Sequence, residues 1–365
     1  MSDTIMQKMD GMTYAPVFQG ITQQVVAPGT FSFSVIGLDH GHILAMTNGL
    51  LEAGATLRWV YDKDRAKAIS FCKRFAEGKV AESEEVVLSD RVTTLVVSAI
   101  RPDQRCSLGL QVMKVGKDFF VDKPGMLSLA DVQSVKELCE KTGRKYIIYF
   151  GERIHVEAAV QAQRMIDSGE LGKIVSITIL APHRLNKASR PDWFFDPRKN
   201  GGILVDIGSH QIEQFLSYSH ADSAKVNYSM VANYANPDKP DFMDFGEVSL
   251  LSDTGVSGYC RVDWFTPAGL GAWGDGRVFI VGTKATLEIR KYIDVAQSSE
   301  GDHLYFVNEK GEHHLQVTGK IGFPFFGELI LDCLNRTERA ITQRHVLEAM
   351  TITLQAQEQA IHIGG

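Results

Sequence analysis

The chain predicts an α/β protein: an N-terminal doubly wound parallel sheet of Rossmann type, then an α+β domain with a large, mainly antiparallel, open-faced sheet. Three observations carry this. Between Phe31 and Phe150, short apolar runs alternate with segments of helical period, the pattern of βαβ units. Beyond Lys173 the runs lengthen and alternate with period two, as strands do when one face meets the core and the other meets water. The 365 residues, 44% apolar and 22% charged, suffice for two cores.

The elements follow in order. FSFSVIG is a buried-strand run ending at Gly37, and HILAMTNGLLEAG a helix closed at Gly54. TLRWVYD and RAKAISFCKRFAEG form the second strand and helix, TTLVVSAI and QRCSLGLQVMKVG the third pair. DFFVDKP is the next strand. SLADVQSVKELCEKTG is a helix with Ser128 as its N-cap, and KYIIYF closes the series. A helix at HVEAAVQAQRMIDSG then leads into eight alternating segments, from KIVSITILA to HHLQVTG, and two terminal helices. The expected boundaries are an arm over residues 1–30, a dinucleotide-type domain over 31–150 and an α+β domain over 151–365. The arm reads as a surface-draped tail. A sharper reading packs MTYAPVFQGITQQVV on a neighbouring subunit.

The net charge of −6 and the lack of a basic stripe with interleaved aromatics exclude non-specific nucleic-acid binding. Five scattered cysteines without Cys-x-x-Cys read as reduced thiols of a cytoplasmic protein. No export signal and no apolar run of about 20 residues is present, so no membrane partner is expected.

The first strand-to-helix turn, where a dinucleotide fold would carry GxGxxG, reads Gly37-Leu38-Asp39-His40-Gly41-His42. Only the first glycine stands in its place. A carboxylate at Asp39 about 5 Å from a phosphate would cost about 3 kcal/mol at an effective dielectric of 20, so Asp39 turns away or the phosphates sit differently. Gly41, His40 and His42 could offset it, since a helix N-terminus attracts anions and an imidazole can donate to phosphate. Asp62, at the end of the second strand, is placed to accept both ribose hydroxyls of an adenosine and to repel a 2′-phosphate. That favours NAD over NADP, although Lys63 and Arg65 follow closely. The competing role for Asp62 is an N-cap for the helix that follows. His40 and His42 could also ligate a metal, but Asp39 is their only acidic partner at fixed spacing, so no metal is expected.

Two further runs carry proton chemistry. Phe119 to Gly125 (FFVDKPG) delivers Lys123 at the carboxyl end of a parallel strand, where doubly wound sheets place ligands, and Pro124 could be cis. Gly201 to His210 (GGILVDIGSH) delivers Asp206 and His210, which on one helix would share a face. A lysine with a lowered pKa or a histidine near 7 can take the proton of a secondary alcohol while its hydride leaves, with Asp206 orienting His210 or holding a hydroxyl. The capping-and-core alternative would be preferred for an isolated Asp-x-x-x-His. With the strand-end Lys-Pro present, the catalytic reading is preferred.

Over residues 31 to 360 these motifs resemble the glucose–fructose oxidoreductase/inositol dehydrogenase/rhizopine catabolism (Gfo/Idh/MocA) family. The family's Glu-Lys-Pro stands here as Asp122-Lys123-Pro124, and its Gly-Gly-x-x-x-Asp-x-Gly-x-His as Gly201, Gly202, Asp206, Gly208 and His210. RMIDSGELGKIVSI and VFIVGTKATLEI match its domain-junction and late-sheet segments, and GERIHVEAA keeps Arg153 of a junction element while losing its Asn and Pro. Ile100-Arg101-Pro102-Asp103 resembles its nicotinamide-proximal Thr-Pro-Asn loop.

The resemblance implies a nicotinamide held near Gly37, His40, Gly41, His42, Asp62, Ile100, Pro102, Asp122 and Lys123. It implies Lys123 and His210 as proton carriers and Asp206 as a substrate holder. The substrate is expected to be a small sugar, cyclitol or sugar acid, and the assembly a homodimer or homotetramer built on the second sheet. Arg153, His183, Arg184 and Trp193 are candidate substrate contacts. Five cations, Arg184, Lys187, Arg190, Arg198 and Lys199, hint at an acidic sugar, with a solvated basic loop as the competing reading. The alternatives to a dehydrogenase are a lyase or glycosidase with tightly held NAD in a closed oxidation–elimination–reduction cycle, and a non-catalytic sugar or NAD sensor.

Overall fold

Strands of the first sheet form where β-branched and aromatic residues cluster. β1 (Ser32–Ile36) is buried throughout; β2 (Thr56–Tyr61) and the two-residue β3 (Lys79–Val80) lie toward one edge. β4 (Leu95–Ser98), β5 (Asp118–Asp122) and β6 (Tyr146–Tyr149) are again wholly buried. They pair in parallel in the order β3-β2-β1-β4-β5-β6, the doubly wound arrangement expected when helices cover both faces. The helices are α1 (His42–Glu52), α2 (Arg65–Arg74), α3 (Glu84–Ser89), α4 (Pro102–Lys114) and α5 (Leu129–Thr142). Ser128 caps α5 in a full capping box with Asp131, as its position predicts. β3 and α3 have no clear periodicity; they are too short for one.

The computed structural model describes residues 23–363. The two readings of the arm therefore fall mostly outside the described residues, but Val25 donates its N–H to the carbonyl of Ala53 at 3.0 Å, so the end of the arm is part of the first unit. The chain divides after Tyr149. The expectation that everything from 151 onward forms the second domain needs correction, because Phe323–Leu347 belongs to the first unit. Its helix Pro324–Asn335 packs on α1, with the Phe326 ring in the space a side chain at Gly49 would need. Phe325 and Phe326 sit against Phe120 on β5, Phe326 also against Tyr149, and Arg336 forks onto Asp118. That apolar helix carries no sequence mark of which core it fills.

The second unit begins with α6 (Gly151–Ile154) and α7 (Glu157–Asp167). β7 (Ile174–Pro182), α8 (Pro197–Asn200), α9 (Ile203–Asp206) and α10 (Gly208–Tyr218) follow. Then come β8 (Ala224–Ala232), β9 (Phe245–Ser252), β10 (Ser257–Asp263), β11 (Arg277–Gly282) and β12 (Ala285–Arg290). β13 (His303–Asn308), β14 (Gly311–Gln316) and β15 (Ile361–Ile363) complete a nine-stranded sheet. Its order is β14-β13-β12-β11-β7-β10-β9-β8-β15, antiparallel except at β7–β10 and β8–β15. One face is buried under α7 and α10 through Ile177, Ile179, Val278, Ile280, Leu250 and Val262; Gly258 lies where the Phe215 ring of α10 leaves no room for a side chain. The other face, with Phe279, Val281, Val307, Leu251 and Tyr259 among charged residues, is open.

A carboxylate pair braces this unit. Glu157 accepts the backbone N–H groups of Ile321 and Gly322, while Asp302 accepts that of Ala158 at 2.8 Å. Burial, together with nearby Glu157, pushes Asp302 up to about 6. A carboxyl raised in the native state favours folding in acid, and that contribution is lost as pH rises from about 4 through about 6. Asp302→Asn keeps the acceptor and suits the positive φ of 58°. In urea titrations the variant should match the wild type at pH 4 and exceed it by about 2 kcal/mol at pH 7.5. A gap that does not change with pH would show that Asp302 ionises normally.

Candidate active site

The first unit gathers its site at the carboxyl ends of β1, β2, β4 and β5. Gly37 has φ 84°, and a Cβ there would lie 2.6 Å from the Cβ of Ile100, so only glycine allows the turn to approach the β4 loop so closely. The backbone is stitched by His40 N–H to the Ala99 carbonyl (3.0 Å) and Ala99 N–H to that of Gly37 (3.2 Å). Ile100 thus stands beside the turn, and Pro102 is the first residue of α4.

Asp62 accepts the N–H of Leu38 at 2.7 Å and of Asp64 at 2.8 Å, while Asp64, not Asp62, caps α2. The carboxylate is therefore fixed facing the glycine turn, with lone pairs left for two hydroxyls. Asp39 takes the first of its two expected options: it turns to Lys67 (2.9 Å) and accepts the N–H of Arg101 (3.1 Å). Arg65 forks onto Glu82. Arg65 and Lys67, two of the cations near Asp62, are thus engaged with carboxylates. A cradle that only Gly37 can form, beside a carboxylate aimed at it, fits NAD; Gly37, Gly41 and Asp62 would hold its phosphates and ribose.

His40 and His42 do something the sequence does not show. His42 Nδ1 lies 2.8 Å from Asp122 Oδ1, and His40 Nδ1 lies 3.1 Å from Oδ2. Asp122, the last residue of β5, is fully buried and also accepts from Lys123 N–H (2.8 Å) and from Arg105 (3.1 Å). The rest of the Arg105 guanidinium donates to the carbonyls of Ile100, Asp122, Lys123 and Pro124. Arg105 is the main residue missed in this unit; one arginine inside a helix gives no signal until its fold neighbours are known. Burial drives the His40 pKa well below its usual value despite Asp122. Burial would raise Asp122, but His42, His40 and Arg105 outweigh it and keep the carboxylate ionised. Lys123 is buried at the strand end, and the Lys123–Pro124 bond is cis.

In the second unit Asp206 and His210 lie close in sequence but on two helices: α9 ends at Asp206, and α10 starts after Ile207, with His210 N–H bonded to the Ile207 carbonyl. The single-helix expectation is corrected there. Gly201 and Gly202, with φ 90° and 86°, set up α9, and Asn200 accepts the Gly202 N–H. Asp206 lines a cleft walled by Phe195, Phe242 and Trp264, with Asn200 and Asp241 as its other polar groups. Aromatic side chains thus border the two carboxylates. Trp193, expected as a substrate contact, packs against Phe194.

His210 is buried and backed by a network that sequence reasoning missed. Glu152 accepts from Lys291 (2.8 Å) and Gln211 (2.9 Å) and lies 3.5 Å from His183 Nε2. Lys291 also donates to Gln214, whose amide donates to the His210 carbonyl. Burial would raise Glu152, yet Lys291, then His210 and His183, hold it well below the usual carboxylate range. Arg153 forks onto buried Glu213. Arg184 donates to the carbonyls of Leu270 and Ala272, bracing a loop. Lys187 pairs with Asp238, Arg190 stacks on Phe194 and Trp264, and Arg198 and Lys199 share Asp196. Lys187, Arg198 and Lys199 thus face carboxylates, whereas Arg184 and Arg190 are held by backbone carbonyls and aromatic rings.

Comparison with known proteins agrees with this architecture. Residues 31–150 match the model of the oxidoreductase family with an NAD-binding Rossmann fold, and residues 159–288 match the GFO/IDH/MocA C-terminal domain. A solved structure from Erwinia carotovora atroseptica SCRI1043, described provisionally as an oxidoreductase, is 41% identical with a TM-score of 0.89, over 92% of this chain and 100% of that one. The scyllo-inositol 2-dehydrogenase (NAD(+)) of Bacillus subtilis is 24% identical over 65% of this chain and 66% of its own. An uncharacterised oxidoreductase of Schizosaccharomyces pombe is 28% identical over 36% and 35%. The chain thus spans between about a third and two thirds of these two curated relatives. Fold and turn define a dinucleotide-binding protein of the oxidoreductase class. The two family models cover most of its length, and the chain belongs to the Gfo/Idh/MocA family.

Among the described residues, no helix is long and apolar enough to cross a membrane, and all five cysteines are free thiols.

Proposed function

We propose that the protein is an NAD-dependent dehydrogenase that interconverts a secondary alcohol and a ketone on a sugar or cyclitol. The observation that carries this is Asp62, locked onto the Gly37–Leu38 turn at the carboxyl end of the parallel sheet. NAD, when bound, supplies the hydride acceptor. The chain supplies the rest: Lys123 and His210 carry the hydroxyl proton, and Asp206 accepts a hydrogen bond from a substrate hydroxyl in its aromatic cleft. The Bacillus relative's action on scyllo-inositol supports a polyol. The open face of the nine-stranded sheet, with Phe279, Val281, Val307 and Leu251, is the proposed surface for a homodimer or homotetramer.

The test is a titration with NAD and NADP followed by a panel of inositols and aldoses monitored at the nicotinamide absorbance. NAD should bind more tightly than NADP, and at least one polyol should be oxidised. Asp62→Ala should weaken NAD by about tenfold or more, the worth of a charge-assisted hydrogen bond, and leave NADP nearly unchanged. Equal affinities in the wild type would remove the ribose role of Asp62.

A further inference from the structure

We propose that His40, His42 and Asp122 form a binding site for one divalent transition-metal ion of the zinc class. In sequence the His-x-His pair has no acidic partner except Asp39, and Asp39 is turned onto Lys67. The fold supplies the missing ligand from 80 residues away, at the end of β5. One ring nitrogen from each histidine and a carboxylate oxygen lie within 4.8 Å of one another. The close N–O pairs, 2.8 and 3.1 Å, approach the edge of about 3.3 Å of a tetrahedron with zinc-type bonds.

The surroundings suit a metal. The three side chains are only 13%, 11% and 0% exposed, so few waters compete. Arg105 holds Asp122 Oδ2 and the Lys123 N–H holds Oδ1, the outer hydrogen bonding that orients a ligating carboxylate. Arg105 also balances the carboxylate charge. Two imidazoles with one carboxylate select zinc, cobalt or nickel over the all-oxygen preference of magnesium and calcium. The ion would tie the turn after β1 to the end of β5 and keep a fourth position for water or another oxygen ligand. The site stands apart from the hydride-transfer reading, because its occupancy is measured without turnover.

The test uses the full chain, stripped with a chelator and titrated with Co²⁺. The expected result is one equivalent, visible-range absorption of a four-coordinate ion, displacement by Zn²⁺, and a dissociation constant below about 1 μM. His42→Ala and Asp122→Asn should each weaken binding by more than the about 10- to 100-fold typical of losing an outer partner. The control is His303→Ala/His314→Ala, because those imidazoles lie 2.9 Å apart on the open sheet face; it should bind normally. Circular dichroism checks that each variant folds, and the wild-type spectrum decides the matter if one does not. Absence of a stoichiometric Co²⁺ spectrum in the wild type overturns the proposal, as does binding that survives His42→Ala within threefold; the cluster is then two imidazoles sharing a carboxylate.

Discussion

Lys123→Met is expected to lower kcat by about 10²- to 10⁴-fold, the usual contribution of a positioned proton carrier, with little change in melting temperature. The backbone at this residue is secured from outside the side chain: Arg105 donates to the carbonyls on either side and Asp122 accepts the Lys123 N–H. Methionine keeps the apolar stem and removes only the amine, so chemistry and fold separate. The rate is best read as a pH profile of kcat with a polyol that the panel shows to be oxidised. Loss of a limb of the profile together with rate assigns the proton to Lys123. Turnover within a few-fold of wild type would move the role to His210 alone.

Lys291→Met should give the largest loss of stability, about 3–5 kcal/mol, the effect of stranding one partner of a buried ion pair. Lys291 is 1% exposed and its ammonium lies 2.8 Å from Glu152 and 2.7 Å from Gln214. Without it, Glu152 sits deep in the protein with the Gln211 amide and the His210 and His183 imidazoles nearby. The carboxyl would then take up a proton near neutrality, so the variant should lose more stability at pH 8 than at pH 5. The double variant Glu152→Gln/Lys291→Met removes both charges and should recover more than half of the loss in a urea titration. Two single losses that simply add would show that the pair is not coupled.

The sheets were legible because their causes are local. Runs such as TTLVVSAI and DFFVDKP cannot be solvated, and period-two segments such as ATLEIR declare a two-faced sheet. Gly37, Asp62 and Lys123 were legible because they sit at fixed places relative to those strands. What stayed hidden depends on distant neighbours. Arg105 matters for carbonyls 17 to 19 residues away, Lys291 for Glu152 at a separation of 139, and Asp122 for a histidine 80 residues before it. The partner of Lys187 stayed hidden for the same reason: charge is countable in a sequence, whereas Asp238 comes from another segment. Asp206 and His210 were placed on one helix, because four-residue spacing does not reveal a break at Ile207.

The return of Phe323–Leu347 to the first unit bears on how the molecule is made. A ribosome that has released everything up to Tyr149 has delivered all six parallel strands but not the two phenylalanines that cover Phe120, nor the arginine that answers Asp118. The nascent nucleotide-type unit must wait, with that apolar flank bare, while about 170 further residues are synthesised. A fragment cut at the obvious boundary inherits the same wound permanently, so the first half of this gene is a poor choice for separate expression.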